Sequence, residues 1–70
     1  MKFSARNVLK GKVTRLEHGA VNSEVTIEIA PGVEVVSIIT KRSAEDLGLA
    51  QGKDVYAAVK ATNVMVAVDH

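Results

Sequence analysis

The sequence predicts an all-β domain: a small five-stranded barrel with one short helix between the third and fourth strands. Three observations carry this. Twelve valines and four isoleucines stand among 70 residues with one phenylalanine, one tyrosine and no tryptophan, a composition suited to thin sheets rather than an aromatic core. From Val21 to Ile29 apolar and polar residues alternate strictly, the period of a strand with one buried and one wet face. Glycine, proline and asparagine then punctuate the chain at intervals that suit strands rather than long helices.

Residues 3–16 read as a long first strand, with Leu9 and Val13 in one phase and Val8 and Leu16 in the other. Such a phase change calls for a bulge or bend near Gly11, a common device where a sheet curls. Glu17-His18-Gly19-Ala20 is a turn. In the second strand Val21, Ser23, Val25, Ile27 and Ile29 share the inner face, opposite Asn22, Glu24, Thr26 and Glu28. Ala30-Pro31-Gly32 turns the chain, proline presetting φ and glycine supplying a positive one. The third strand, Val33 to Thr40, is apolar in both phases at Val35, Val36, Ile38 and Ile39, so both of its faces are expected to be covered. A helix of one or two turns follows, with Ser43 as N-cap, Asp46 as the capping-box acid and Gly48 as the stop. Its apolar residues Ala44, Leu47 and Leu49 would plug one end of the barrel. Residues 53–61 form the fourth strand and 64–68 a short fifth. This order of elements is that of an oligonucleotide/oligosaccharide-binding (OB) type barrel.

The whole chain, residues 1–70, reads as one domain. A domain this small is marginal unless disulfides, a metal or self-association support it. It has no cysteine and only His18 and His70 as histidines, so disulfides are excluded and no metal-ligand spacing is present. Self-association remains, and the surplus of valine and isoleucine is read as subunit interface. A net charge of +1, from nine basic and eight acidic residues, is a poor footprint for nucleic acid or an anionic membrane. No run is long and apolar enough for a membrane span and no signal peptide opens the chain, so a cytoplasmic location is expected.

Three polar clusters stand out. Ser4-Ala5-Arg6-Asn7 combines a hydroxyl with a guanidinium, whose planar fork of donors suits an oxyanion. Thr40 and Ser43 flank the start of the short helix, and Lys60-Ala61-Thr62 closes the fourth strand. Each has a plain structural role too: Ser43 capping its own helix, Lys60 as a solvated charge, Thr62-Asn63 as turn chemistry. Together they offer positive charge and many donors with no carboxylate inside the motifs. That set suits a compact dianion whose oxygens all accept hydrogen bonds.

The run Ser4-Ala5-Arg6-Asn7 followed by Leu9-Lys10-Gly11-Lys12-Val13 resembles the opening of the molbindins, the small Mop-type (TOBE/OB-like) molybdate-binding proteins. Ile38-Ile39-Thr40 through Ser43-Ala44-Glu45-Asp46-Leu47-Gly48-Leu49 resembles them as well, as does Val59-Lys60-Ala61-Thr62-Asn63-Val64-Met65-Val66. Similar modules occur in molybdate-responsive transcription regulators and in ATPase subunits of molybdate importers. The resemblance implies an OB-like domain assembling as a hexamer, a trimer of dimers, with molybdate or tungstate held between subunits. The oxyanion-binding residues it implies are Ser4, Ala5, Arg6, Thr40, Ser43, Lys60, Ala61 and Thr62. A second type of site near the threefold axes corresponds to Gly19, Ala20, Val21 and Asn22. The chain departs from the pattern at Val8, where glutamine is expected, and at Pro31, where glycine is common.

The functional expectation is reversible oxyanion binding for intracellular molybdenum storage or homeostasis, with no cofactor, no direct protein–metal ligand and no membrane or nucleic-acid partner. No nucleophile–base pair or carboxylate pair suggests an enzyme. Two alternatives differ in class. A nucleic-acid-binding OB domain needs a basic groove and stacking aromatics, and Phe3 and Tyr56 are the only aromatics here. A ligand-free oligomeric interaction module would be indifferent to oxyanions.

Overall fold

A computed structural model of the chain describes residues 5–69. The element order is β1 (Asn7–His18), β2 (Asn22–Ala30), β3 (Val33–Thr40), α1 (Lys41–Asp46), β4 (Asp54–Val59) and a 3-10 turn (Ala61–Asn63). The four strands form one sheet in the order β3-β2-β1-β4, every neighbouring pair antiparallel.

β1 is shared by both halves of the sheet. Its residues Asn7 to Lys12 pair with β4, and Lys12 to His18 pair with β2, so Lys12 faces both Asp54 and Glu28. The expected bulge exists but sits three residues later. The β1–β2 register skips Thr14, between Val13 opposite Ile27 and Arg15 opposite Thr26. One unpaired residue shifts the inward phase from Val13 to Leu16 and bends the strand. Gly11 has a different task, allowing close approach: a Cβ there would lie 2.5 Å from the Glu28 carbonyl oxygen and 2.8 Å from Ile27 Cγ2.

The alternation of β2 is realised. Ser23, Val25 and Ile27 are buried and Ile29 is half-buried, whereas Asn22, Glu24 and Glu28 are exposed. Val21 lies outside the strand and is 71% exposed, and Thr26, on the nominally wet face, is buried beside the bulge. The core comprises Val13, Val25, Ile27 and Ala57, with Leu16, Ile29, Val35, Ile39, Leu49 and Val55 packed against it. Burying each of the larger side chains contributes roughly 1.5–3 kcal/mol.

Three expectations are corrected. First, the sheet has four strands, not five: Val64–Val68 lies outside regular structure, and Met65 and Val66 are 93% and 90% exposed. A β-rich sequence becomes a strand only when an edge accepts its backbone N–H and C=O groups. Second, β3 is covered on one face only, since Val35, Ser37 and Ile39 turn inward while Val36 and Ile38 stay exposed. As an edge strand it has no neighbour beyond it in the sheet. Third, the helix cap is Thr40 rather than Ser43. The Ser43 amide donates to Thr40 Oγ1 at 3.0 Å, which places Ser43 in the first turn and leaves Asp46 as the last helical residue. Threonine one step before the first helical residue has the extended backbone that a cap requires, at φ −68° and ψ 149°.

The helix stop is as expected. Gly48 takes φ 63°, its N–H donates to Glu45 O at 2.9 Å, and Leu49 N–H donates to Ala44 O at 3.1 Å, the paired bonds of a Schellman motif. Lys53 Nζ adds donors to the Leu47 and Gly48 carbonyls at 2.7 and 3.1 Å. Of the three apolar residues expected to plug the barrel, Ala44 is buried and Leu49 packs against the core, whereas Leu47 remains 60% exposed.

Gly11→Ala is expected to cost about 1–3 kcal/mol, because backbone as well as side chain must yield to the new methyl group. Urea denaturation measures this; an unchanged midpoint would mean that the β1–β2 crossing is loose.

Candidate functional site

The site begins with the start of β1. Asn7 pairs with Val59 at the end of β4, and its Nδ2 donates to Val59 O at 3.4 Å. That register sets Arg6, the residue before β1, beside Lys60, the residue after β4. Lys60 then leads into the 3-10 turn, where Asn63 N–H donates to Lys60 O at 2.9 Å. The result is a cavity of about 350 Å³ lined by Arg6, Lys60, Ala61 and Thr62. Among the described residues, neither cation has a carboxylate at ion-pair distance; the two pairs formed are Lys12–Asp54 and Arg15–Glu17. Ala5 lies next to this cavity in sequence and is half-buried, and Ser4 lies outside the described residues.

The second cluster lies elsewhere. Thr40 pairs with Asn22, and Ser23 pairs with both His18 and Ile39. Thr40 and Ser43 therefore sit at the far end of β1 from Arg6, along a strand of 12 residues. Its contour is roughly 36 Å at about 3.3 Å per residue. Thr40 Oγ1 donates to Ser43 Oγ at 2.8 Å while accepting from the Ser43 amide, and both residues are exposed. Gly19–Asn22 is in the same region: Gly19 N–H donates to Asn22 O at 2.7 Å, and the Lys41 N–H that opens α1 donates to Val21 O at 2.8 Å. One chain thus gathers Arg6, Lys60, Ala61 and Thr62 at one place, and Thr40, Ser43 and Gly19–Asn22 at another.

Sequence reasoning missed three features. His18 Nδ1 lies 2.6 Å from Ser23 Oγ, a contact invisible until the strands are in register. A hydroxyl beside an imidazole suggests an activated nucleophile, but Ser23 is 1% exposed and has no route to a substrate. The contact satisfies a buried hydroxyl. The second missed feature is an apolar groove of about 450 Å³ between the free sides of β3 and β4. The third is the Lys12–Asp54 pair, 2.8 Å apart on neighbouring strands. No group of three or more metal-ligating side chains occurs among the described residues.

The electrostatics follow these contacts. The Lys12 ammonium, first by its hydrogen bond and then by its charge, holds the Asp54 carboxyl below its ordinary value. Glu17 likewise raises Arg15, first through a hydrogen bond and then through its charge. Because the folded Asp54 value lies below the unfolded one, its contribution is present at neutral pH and disappears as pH falls through the lowered value. Both partners are exposed, so the effect on stability is small.

Two outcomes are expected. Thr40→Ala should lose about 1 kcal/mol of stability by uncapping α1, with faster hydrogen exchange at the Ser43 amide; unaltered exchange would show that the cap is not made. In an NMR titration Asp54 should titrate below the usual carboxylate range and return toward it in Lys12→Met, and identical curves would refute the pairing.

Comparison with known proteins bears on the whole chain. A family model described as the TOBE domain matches residues 4–66. Molybdenum-pterin-binding protein 2 of Clostridium pasteurianum is 50% identical over 66 residues, covering 94% of this chain and 97% of that protein. The solved structure of MopII from Clostridium pasteurianum superposes with a TM-score of 0.89 at 48% identity, covering 96% of this chain and all of that one. The cytoplasmic molybdate-binding protein ModG, solved with molybdate bound, matches with a TM-score of 0.87 at 45% identity, over 93% of this chain and 46% of its own. These are binding proteins by name, and their structures confirm an OB-like fold with a strongly curled sheet. The chain belongs to the TOBE-domain family, in its molbindin (Mop) group.

Proposed function

We propose that the protein binds molybdate, or its congener tungstate, reversibly and without chemistry, at sites shared between copies of the chain, as a store or buffer of molybdenum. The observation that carries this reading is the cavity where Arg6 and Lys60 converge with Thr62 and no carboxylate intervenes among the described residues. A tetrahedral dianion presents four acceptor oxygens and two negative charges. A guanidinium fork, an ammonium, a hydroxyl and turn amides answer both demands. Ser4, adjoining Ala5, would add a second hydroxyl. The names of relatives up to 50% identical agree with this choice of anion.

The separation of the clusters supports a shared site. Arg6 with Lys60–Thr62 offers charge, and Thr40 with Ser43 offers hydroxyls, but they occupy opposite ends of β1. Copies packed end to end would complete one another, as in the hexamer, a trimer of dimers, that we propose for the assembly. Gly19–Asn22 would then line a second kind of site near the threefold axes. An anion bound between copies stabilises the assembly by mass action, so loading and oligomerisation are coupled. The role is storage rather than catalysis, in the cytoplasm, the compartment named for ModG. Nucleic acid is disfavoured by the net charge of +1 and by Tyr56 being the single aromatic among the described residues.

Calorimetric titration should show tight molybdate binding and weak sulfate binding, with a hexameric mass by light scattering. Arg6→Ala should weaken molybdate binding about 10–100-fold, the scale of one charged hydrogen-bonded contact, with circular dichroism unchanged. Equal affinity in the variant would sink the assignment of Arg6.

A further inference from the structure

We infer that His18 is a further oxyanion-contacting residue at the Gly19–Asn22 turn, its imidazole locked by the buried Ser23 hydroxyl in the tautomer that leaves Nε2–H free to donate. The inference rests on the reading of that turn as a second oxyanion site, and adds to it a side chain and a source of selectivity.

The lock follows from the strand register. β1 ends at His18, and β2 brings Ser23 directly opposite, with Nδ1 2.6 Å from Ser23 Oγ. Ser23 is 1% exposed, and among the described residues its hydroxyl has no other side-chain partner. A buried hydroxyl hydrogen needs an acceptor. Nδ1 is the acceptor at hand, so the Ser23 hydroxyl donates and Nδ1 is bare. In a neutral imidazole the ring hydrogen then resides on Nε2. The opposite tautomer would strand the hydroxyl hydrogen in the interior, at the full desolvation penalty of that group.

The ring borders a turn whose own donors are open. His18 is exposed, as are Gly19, Ala20, Val21 and Asn22. Gly19 N–H is engaged by Asn22 O, and Val21 O by Lys41 N–H. Among the described residues, the Ala20 and Val21 N–H groups donate to no backbone acceptor. Two turn amides and the Asn22 carboxamide thus stand next to the residue that offers Nε2–H. Glu17 and Glu24 pair with each other on the opposite face of β1 and β2, and Glu17 is held by Arg15 at 2.7 Å. Because Ser23 occupies the ring's one lone pair, His18 donates and does not accept. It suits an oxyanion whose oxygens are all deprotonated, such as molybdate, and gives nothing to the hydroxyl of hydrogen phosphate.

The test uses the full chain, isotopically labelled on nitrogen, at about pH 8, above the ordinary histidine range. Nitrogen chemical shifts separate a bare ring nitrogen from a protonated one, and His18→Gln distinguishes the signals of His18 from those of His70. The parent should show Nδ1 bare and Nε2 protonated, and Ser23→Ala should admit a measurable share of the other tautomer. Molybdate should move the His18 Nε2–H signal in the parent and in Arg6→Ala, which keeps the turn. In calorimetry His18→Leu should weaken one class of molybdate sites about 10-fold, the scale of one hydrogen bond to a charged acceptor. The class that depends on Arg6 should keep its affinity, and His18→Gln, which restores a donor, should recover part of the loss. A protonated Nδ1 in the parent would overturn the proposal, as would molybdate that binds with no change at His18. If His18→Leu does not fold, the spectra of the parent decide alone. No heat from the parent would sink the oxyanion reading and this inference together, whereas heat without a response at His18 sinks only the inference.

Discussion

A single strand has to serve two halves of one sheet, and most of the structure answers to that constraint. β1 gives its first six residues to β4 and, Thr14 aside, its last seven to β2, with Lys12 in both sets. To do so it must bend, and the bend is built from two adjacent devices. Gly11 brings the backbone close enough to Glu28 that no side chain could stand between them, and the unpaired Thr14 changes the phase so that Val13 and Leu16 both point to the core. Without the bend the sheet would be flat, and the core around Val13, Val25 and Ile27 would be open on one side.

The same strand organises the chemistry. Its start delivers Arg6 to Lys60 and its end leads into the Gly19–Asn22 turn beside Thr40. Because the strand is long, these groups are held apart by the stiffest element of the fold. The two donor clusters are thereby held at opposite ends of β1. Among the described residues no acid lies at ion-pair distance from Arg6 or Lys60, and two acids near β1 are engaged elsewhere, Asp54 by Lys12 and Glu17 by Arg15. A dianion at the Arg6–Lys60 cavity would meet little local repulsion.

The isolated chain is economical to the point of incompleteness. Among the described residues five apolar ones are buried, counting Ala44 of the helix, and the sheet ends in β3 and β4 as its edges. Exposed edges beside an apolar groove invite pairing. Some of its relatives are small binding proteins of nearly identical length.

Periodicity and turn chemistry made much of this legible. The alternation from Ser23 to Ile29, the Pro31-Gly32 turn, the Gly48 stop and the position of the helix after β3 are local patterns, and local patterns survive in a one-dimensional string. The meeting of Arg6 with Lys60 was implicit in strand order but needed the Asn7–Val59 register to become a fact. Other features depended on partners distant in sequence. The bulge moved from Gly11 to Thr14 because register across β1 and β2 decides where an extra residue fits. Thr40 displaced Ser43 as cap because the end of β3, held by Asn22, determines where the backbone stops being extended. Val64–Val68 has every residue preference of a strand and is not one, since pairing is a property of two segments and never of one. The amino-acid sequence by itself indicated which segments have the pattern of strands and which residues carry donors suited to an anion. Only the tertiary structure decided which edges stay open and which donors stand together, because both depend on contacts that no local pattern records.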